Sequence, residues 1–442
     1  MKKVLIVTYY WPPSGGVGAQ RWLKFAKYLR EYGWEPIIFT PEDPSFDIID
    51  TSGETDIPDD IEVLKLPIWE PYQLFKTLKG KKNKTKIKQG LVIESKNQTI
   101  LDKVSIWLRG NVFIPDPRVF WVKRASNFLD NIIESNAIDV VVTTGPPHSM
   151  HLIGLKIRKK HNIKWIADFR DPWSKWDLLD KLGTSKLAKK WHTSLEKKVL
   201  TKSDLVLTVS NRLAKSLKQL GGKNVKYITN GYDESESFDR SKVKPSKFVL
   251  SHVGLLNEMR DPELLWQVLE EICGADKAFL SNFELRLGGI VSESIISKIR
   301  GSEYLKDCVT INEYIPHQEI YDEYAKASIL LLIVNNTNNS QWILPSKLYE
   351  YIYSGQPILM LGQMESDAAE LISSFGKNKV VSFDNKEVLK STILHFHSLF
   401  KNGELESDTE NIEKYSRKHL TDELSKLMNE LIKNPSLEKK EI

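Results

Sequence analysis

The stretch LPSKLYEYIYSGQPILML, Leu344 to Leu361, decides how the chain is read. Pro345 stops the segment before it, and Lys347 to Tyr353 then has helical spacing. Leu348, Tyr349 and Ile352 share one face, while Lys347, Glu350 and Tyr351 turn elsewhere. Gly355 ends that helix, and Pro357 marks the edge of a short apolar run, Ile358 to Leu361. The run is too short for a buried helix and long enough for a strand covered on both faces, as strands of a parallel sheet are. A carboxylate, Glu350, therefore rides a helix that feeds a parallel sheet.

The same alternation extends in both directions. Phe248–Gly254, Phe283–Gly288, Val309–Glu313, Ile329–Val334 and Lys379–Ser382 read as strands with helices between them, and the chain is helical from there to its end. In the first half, Lys3–Thr8, Glu35–Thr40, Asp139–Thr144, Lys164–Ala167, Leu205–Val209 and Val225–Ile228 do the same. Strands alternating with helices predict α/β architecture with doubly wound parallel sheets. Ser235 to Lys247 is polar, contains Pro245 and has no periodic apolar face, so it reads as a linker. The expected domains are residues 1–234, a linker over 235–247, and 248–442 with the C-terminal helices; 442 residues suit two domains.

Composition excludes several classes. Apolar content of 41% and charged content of 27% are those of an ordinary globular protein rather than a disordered or membrane-spanning one. No stretch approaches the roughly 20 apolar residues that cross a bilayer. Cys273 and Cys308, the only cysteines, lack metal-ligand or redox spacing, which points to a reducing compartment and away from zinc. The opening MKKVLIVTYYWPP has two lysines before an apolar run, yet Val4 to Thr8 is short for a signal peptide and runs into a glycine-rich loop. The expected location is the cytoplasm, with peripheral attachment to the inner face of the cell membrane.

Three further segments carry chemistry. PPSGGVGAQR follows the first strand and precedes an amphipathic helix with Trp22, Phe25, Ala26 and Leu29 on its apolar face. Strand, glycine loop and helix N-terminus form a cradle for an anion, because uncovered N–H groups and the helix dipole both favour negative charge. The spacing of Gly15, Gly16 and Gly18 matches neither the dinucleotide fingerprint nor a P-loop. Next, Asp168-Phe-Arg-Asp-Pro-Trp173 continues a strand, and two carboxylates flanking Arg170 at a strand's carboxyl end lie where α/β sheets place chemistry. An ion pair between Arg170 and one aspartate is the structural alternative. His148 and His151 follow a strand end without a carboxylate nearby in sequence, which favours a helix cap with one exposed His over a metal site.

Between Gln73 and Gln89 lie Lys76, Lys79, Lys81, Lys82, Lys84, Lys86 and Lys88 with no acidic residue. A solvated loop is one reading. A surface for anionic lipid is the other, favoured by the flanking aromatic residues, with Lys76, Lys79, Lys81, Lys82, Trp107 and Trp121 as the expected patch. No aromatic side chain interrupts the lysines to stack on a base, which speaks against nucleic acid.

The Leu344–Leu361 stretch resembles the Pro-Ser-Lys-(Leu/Phe)-(Tyr/Phe)-Glu-Tyr-x-x-x-Gly-x-Pro-(Ile/Val) segment of GT-B glycosyltransferases of family 4. In that family the Glu, here Glu350, grips the ribose of a nucleotide-sugar; one ionised carboxylate can accept from both vicinal hydroxyls. The resemblance extends to Gly15, Gly16, Gly18 and Arg21 beneath the donor diphosphate, to Arg260 as a phosphate-binding cation, to Tyr314 beside the base, and to Ser346 and Lys347. It also extends to IADFRDPW, near the place of a cleft His or Asp, with Asp168, Asp171 and Arg170 as catalytic candidates and His148 on the acceptor side. Two positions depart from it: Trp342 stands where many members have a Glu eight residues before Glu350, and Leu255 where many have a second Arg. The resemblance implies a GT-B enzyme of two Rossmann-like domains facing a cleft. It would move a sugar, hexosyl or N-acetylhexosaminyl, from a UDP-linked donor to a glycan or polyprenyl-diphosphate-linked glycan, with retention and without a metal or cofactor. A non-catalytic nucleotide-sugar-binding subunit of a polysaccharide assembly complex and a UDP-sugar epimerase of the same fold are the alternatives.

Overall fold

The computed structural model describes residues 1–46, 48–71, 100–235, 245–312, 315, 319–337, 339–405, 407 and 409–433. The chain forms two compact units, one built from Met1–Thr229 together with the helix Arg417–Lys433 and the other from Asn230–Ser416.

The first unit is a seven-stranded sheet of order β3-β2-β1-β4-β5-β6-β7. Its strands are β1 Lys2–Val7, β2 Trp34–Glu42, β3 Glu62–Pro67, β4 Val140–Gly145, β5 Lys164–Phe169, β6 Leu205–Thr208 and β7 Val225–Tyr227. Every pairing is parallel. Central strands are apolar on both faces, and all six residues of β4 are buried. The expected strands are present; β3, which lies on the edge and buries only Leu66, was not expected. The helix Val17–Leu29 buries Trp22, Phe25, Ala26 and Leu29 as its spacing predicts.

The second unit is a six-stranded parallel sheet of order β10-β9-β8-β11-β12-β13. Its strands are β8 Phe248–Val253, β9 Phe283–Gly288, β10 Val309–Asn312, β11 Ile329–Ile333, β12 Ile358–Leu361 and β13 Lys379–Val381. Strand order reverses beside β8, and ligands of open α/β sheets bind outside the carboxyl ends of the strands at such a switch point. The helix Lys347–Ser354 buries Leu348, Tyr349 and Ile352 and ends at Gly355 with φ of 73°, the left-handed conformation glycine adopts without strain.

Two expectations change. The last helix does not stay with the second unit: Leu420, Leu424 and Met428 pack into the first unit's core with Trp22, Phe25 and Trp34. A stripe at i, i+4, i+8 declares a buried face but not the core that buries it. Trp121 is not at a surface; it is 2% exposed and stacks on Phe39 with centroids 5.0 Å apart. Trp107 is exposed, while Lys76, Lys79, Lys81, Lys82 and Tyr314 lie outside the described residues, as does most of the expected linker. Leu424→Ala is expected to cost about 2–5 kcal/mol, the usual range for emptying a packed core site. Urea unfolding checks this, and a loss below about 0.5 kcal/mol would mean the helix is not docked as described.

Candidate functional site

In the second unit, chemistry gathers at the carboxyl end of β8. The strand ends at Gly254, whose φ of 150° and N–H bond to the Gly288 carbonyl (2.7 Å) turn the chain sharply. A Cβ on neighbouring Gly289 would sit 2.6 Å from the Gly254 carbonyl oxygen, so both positions need glycine for the two backbones to approach. Lys347, at the start of its helix, donates through Nζ to the Val253 carbonyl at 2.8 Å. Arg260, at the end of the Glu258–Arg260 turn, donates through Nε to Asn335 Oδ1 (2.7 Å) and through Nη1 to the Leu255 carbonyl (3.2 Å). Neither cation has a salt-bridge partner among the described residues, so both keep their charge for an anion.

Electrostatics fit that use. Desolvation lowers the Lys347 pKa to about 8; Glu350 opposes the shift and Arg260 adds to it. Burial lowers His252 to about 4, and it is bonded through Nδ1 to the Leu331 carbonyl, so its ring is neutral. Glu350 accepts from Tyr324 Oη at Oε2 (2.9 Å), which holds the carboxylate in one orientation and leaves Oε1 for another donor. Ser346 occupies the cap position of the helix without a side-chain capping bond. Trp342 lies in the preceding Ser340–Trp342 turn. Thus Lys347, Glu350 and Arg260, predicted from sequence, are brought together. Asn335 and Tyr324, which orient two of them, were missed; the polar run after β11 was the available signal for Asn335.

In the first unit the catalytic assignment changes. Asp168 is fully buried, and its oxygens accept from Trp22 Nε1 (2.7 Å), Thr144 Oγ1 (2.8 Å) and Arg21 Nη2 (3.2 Å). Arg21 is 1% exposed and also donates to the Ile228 (2.9 Å) and Thr229 (3.0 Å) carbonyls. Asp168 is therefore a structural carboxylate rather than a catalytic one, and Arg21 serves it rather than a phosphate. Their meeting was not legible because they stand 147 residues apart in the chain. Arg170 forms no salt bridge with either aspartate among the described residues, although both carboxylates act on its charge. It donates to the Gly18 carbonyl at 2.8 Å and to the Pro146 carbonyl, and lies over the Tyr10 ring. Asp171 is exposed just beyond the carboxyl end of β5 and has no hydrogen-bond partner among the described residues, which makes it the available carboxylate.

Gly16 precedes the Val17–Leu29 helix without a side-chain cap, and no acidic residue lies in the first turn, the electrostatic condition for an anion. Gly15 and Gly18 also have packing reasons, since a Cβ would meet Ile48 at 2.7 Å and Tyr10 at 2.9 Å. His148 precedes the Ser149–Lys160 helix, is buried, and neither ring nitrogen has a partner among the described residues. Its ring stacks on Trp173 at 4.9 Å and 4°, and Trp173 donates to His192 Nδ1 at 2.9 Å. Burial, with His151 next, lowers the His148 pKa well below the usual imidazole value, so it offers one donor and one acceptor at neutral pH. Among the described residues no group of three or more His, Cys, Asp or Glu could hold a metal ion.

Two outcomes follow. Asp168→Ala strands buried Arg21 without its carboxylate and should cost about 3–5 kcal/mol in chemical denaturation; a loss under about 1 kcal/mol would contradict the structural role. For Lys347 the folded pKa near 8 lies below the ordinary lysine value, so the ammonium is present below pH 8 and lost above it. Calorimetric affinity for UDP should fall up to about tenfold per pH unit above 8, and Lys347→Arg should flatten the profile. Unchanged wild-type affinity from pH 7 to 9 would remove Lys347 from the site.

Comparison with known proteins places this geometry. Residues 94–236 match the model of Glycosyltransferase Family 4. No curated protein sequence gives a significant match. A glycosyltransferase from Rickettsia africae ESF-5 is similar in structure at 14% identity, covering 98% of this chain and 99% of its own, with a TM-score of 0.63. Sucrose-phosphate synthase from Thermosynechococcus elongatus aligns at 13% identity over 98% of this chain and 100% of its own, TM-score 0.62. Anabaena HepE, solved with UDP and glucose, aligns at 12% identity over 97% and 100%, TM-score 0.57. The chain has the GT-B fold of the glycosyltransferases, and its residues 94–236 resemble Glycosyltransferase Family 4.

Proposed function

We propose that this chain transfers a sugar from a UDP-linked donor to a glycan or lipid-linked glycan acceptor. The observation that supports it is the convergence of Arg260, Lys347 and Glu350 at the switch point of the second sheet. As the sugar–phosphate bond breaks, negative charge grows on the departing diphosphate. Two cations fixed by carbonyl and amide oxygens stabilise that charge without reorganising. Arg260 suits the task because its remaining guanidinium N–H groups can meet two phosphate oxygens at once. Glu350, steadied by Tyr324, accepts from the ribose through its free oxygen.

In this reading the first unit supplies the acceptor side, with the neutral His148 ring and the Asp171 carboxylate as its polar groups. Retention of the anomeric configuration and independence from metal rest on the family resemblance. The diphosphate charge that a metal neutralises elsewhere falls here to Arg260, Lys347 and helix N-termini.

The test is release of UDP from a panel of UDP-sugars supplied with glycan and lipid-linked glycan acceptors. Glu350→Ala and Arg260→Ala should each lower kcat/KM by about ten- to a hundredfold, the worth of one charge-assisted hydrogen bond, with unfolding midpoints unchanged. Asp171→Ala should lower kcat, and EDTA should leave the wild-type rate as it is. Full activity in both donor-side variants overturns the assignment. Binding without turnover makes the chain a nucleotide-sugar-binding subunit, and interconversion of free UDP-sugars without acceptor makes it an epimerase.

A further inference from the structure

One face of the first unit has no role in sugar transfer as described. It is built where the helix Ile100–Asn111 meets the start of the helix Lys186–Lys202. Asn111 joins the two: its Oδ1 accepts from the Ser185 N–H at 2.8 Å, its Nδ2 donates to the Gly183 carbonyl at 3.2 Å, and Ser185 caps the second helix. From this junction two apolar stripes run outward into solvent. Val104 and Trp107, three residues apart on the first helix, are 46% and 53% exposed. Leu187 and Trp191, four apart on the second, are 78% and 55% exposed. Helical spacing puts each pair on one face.

The apolar surface continues on the other side of Asn111. Phe113 lies 5.7 Å from Phe120, which lies 5.3 Å from Trp69, and Phe120 and Trp69 are each about half exposed. Exposed large apolar side chains gathered near one helix junction are more than the scattered single residues that ordinary surfaces carry. Around it stand Lys103, Arg109, Lys181, Lys186, Lys189 and Lys190, against Asp102, Asp177 and Asp180, the last paired with Lys189.

The composition selects the occupant. Interfaces between proteins are depleted in lysine, and single-stranded nucleic acid has no use for exposed Leu187, Val104 and Val112, which cannot stack on a base. Tryptophan and aliphatic side chains set among lysines match the plane of a bilayer surface. There indole rings sit at headgroup level and lysine stems lie along the apolar layer with their ammonium groups on phosphate. We infer that this face of the first unit lies on an anionic lipid bilayer, with Trp107, Leu187 and Trp191 inserted and Lys186, Lys189 and Lys190 on the headgroups. This holds independently of the sugar-transfer reading, because none of these residues belongs to that site.

The full chain is co-sedimented with vesicles of phosphatidylcholine alone and of phosphatidylcholine mixed with phosphatidylglycerol. Wild type should bind the mixed vesicles and not the neutral ones. W107S/L187S/W191S should bind at least about tenfold more weakly, because apolar insertion adds to charge. K186Q/K189Q/K190Q should detach at lower salt than wild type, because charge attraction is screened. All substituted side chains are exposed, and thermal melting confirms that each variant is folded; each variant tests the face by itself. Equal vesicle binding by wild type and both variants overturns the proposal, as does absence of binding by wild type. Retention on single-stranded oligonucleotide without vesicle binding also overturns it, in favour of nucleic acid.

Discussion

The carboxylate of Asp168 holds the first unit together at the point where its strands end. It is buried completely and draws donors from two elements: Trp22 and Arg21 on the first helix and Thr144 on β4. Arg21 extends the connection to the carbonyls of Ile228 and Thr229, where the chain leaves the unit. A lone buried charge would be prohibitively costly, whereas a charge met by three donors is tolerated and specifies a geometry. Because β5 is fixed in this way, the residues immediately after it are carried to one place on the sheet's edge. Arg170, lying over Tyr10 and donating to Gly18 and Pro146, ties the glycine loop and the β4 exit to the same spot. Asp171 and His148 inherit their positions from that frame.

The second unit reaches its arrangement by a different constraint. Here the limiting factor is backbone approach: Gly254 and Gly289 let the ends of β8 and β9 turn within 2.6 Å of where a side chain would stand. The space so made is filled by cations held on neutral oxygens rather than on carboxylates. Arg260 rests on Asn335 and the Leu255 backbone, Lys347 on the Val253 backbone. Such partners fix direction without cancelling charge, so the site is poised for an anion. The lowered lysine pKa comes mainly from burying its ammonium, with a smaller contribution from Arg260. Leu255 lacks the guanidinium of many relatives, but its carbonyl orients the one that is present.

Much of this was readable in the residues. Buried parallel strands announce themselves as β-branched and apolar runs, and all but one of the strands were located in that way. The edge strand β3, with one buried residue, carries no such signal. Lys347, Glu350 and Arg260 were legible because each sits in a local pattern of helix, turn and strand end. What failed was long-range pairing. The Asp168–Arg170–Asp171 triplet suggests a local ion pair, yet the partner of Asp168 comes from Arg21 and that of Arg170 from carbonyls. Trp121 turns inward onto Phe39, and the final helix crosses back to the first unit. In each case the residue type was informative and its destination was set by tertiary packing.

The central claim is that the carboxyl end of β8 in the second unit receives a nucleoside diphosphate. Amide hydrogen exchange with and without UDP tests it most directly, because a ligand slows local opening where it binds. The account predicts protection concentrated in residues 253–260, around Asn335 and Asn336, and in residues 346–351, rising with UDP concentration and absent with uridine. Saturating UDP that protects other segments and leaves these three unchanged would contradict it.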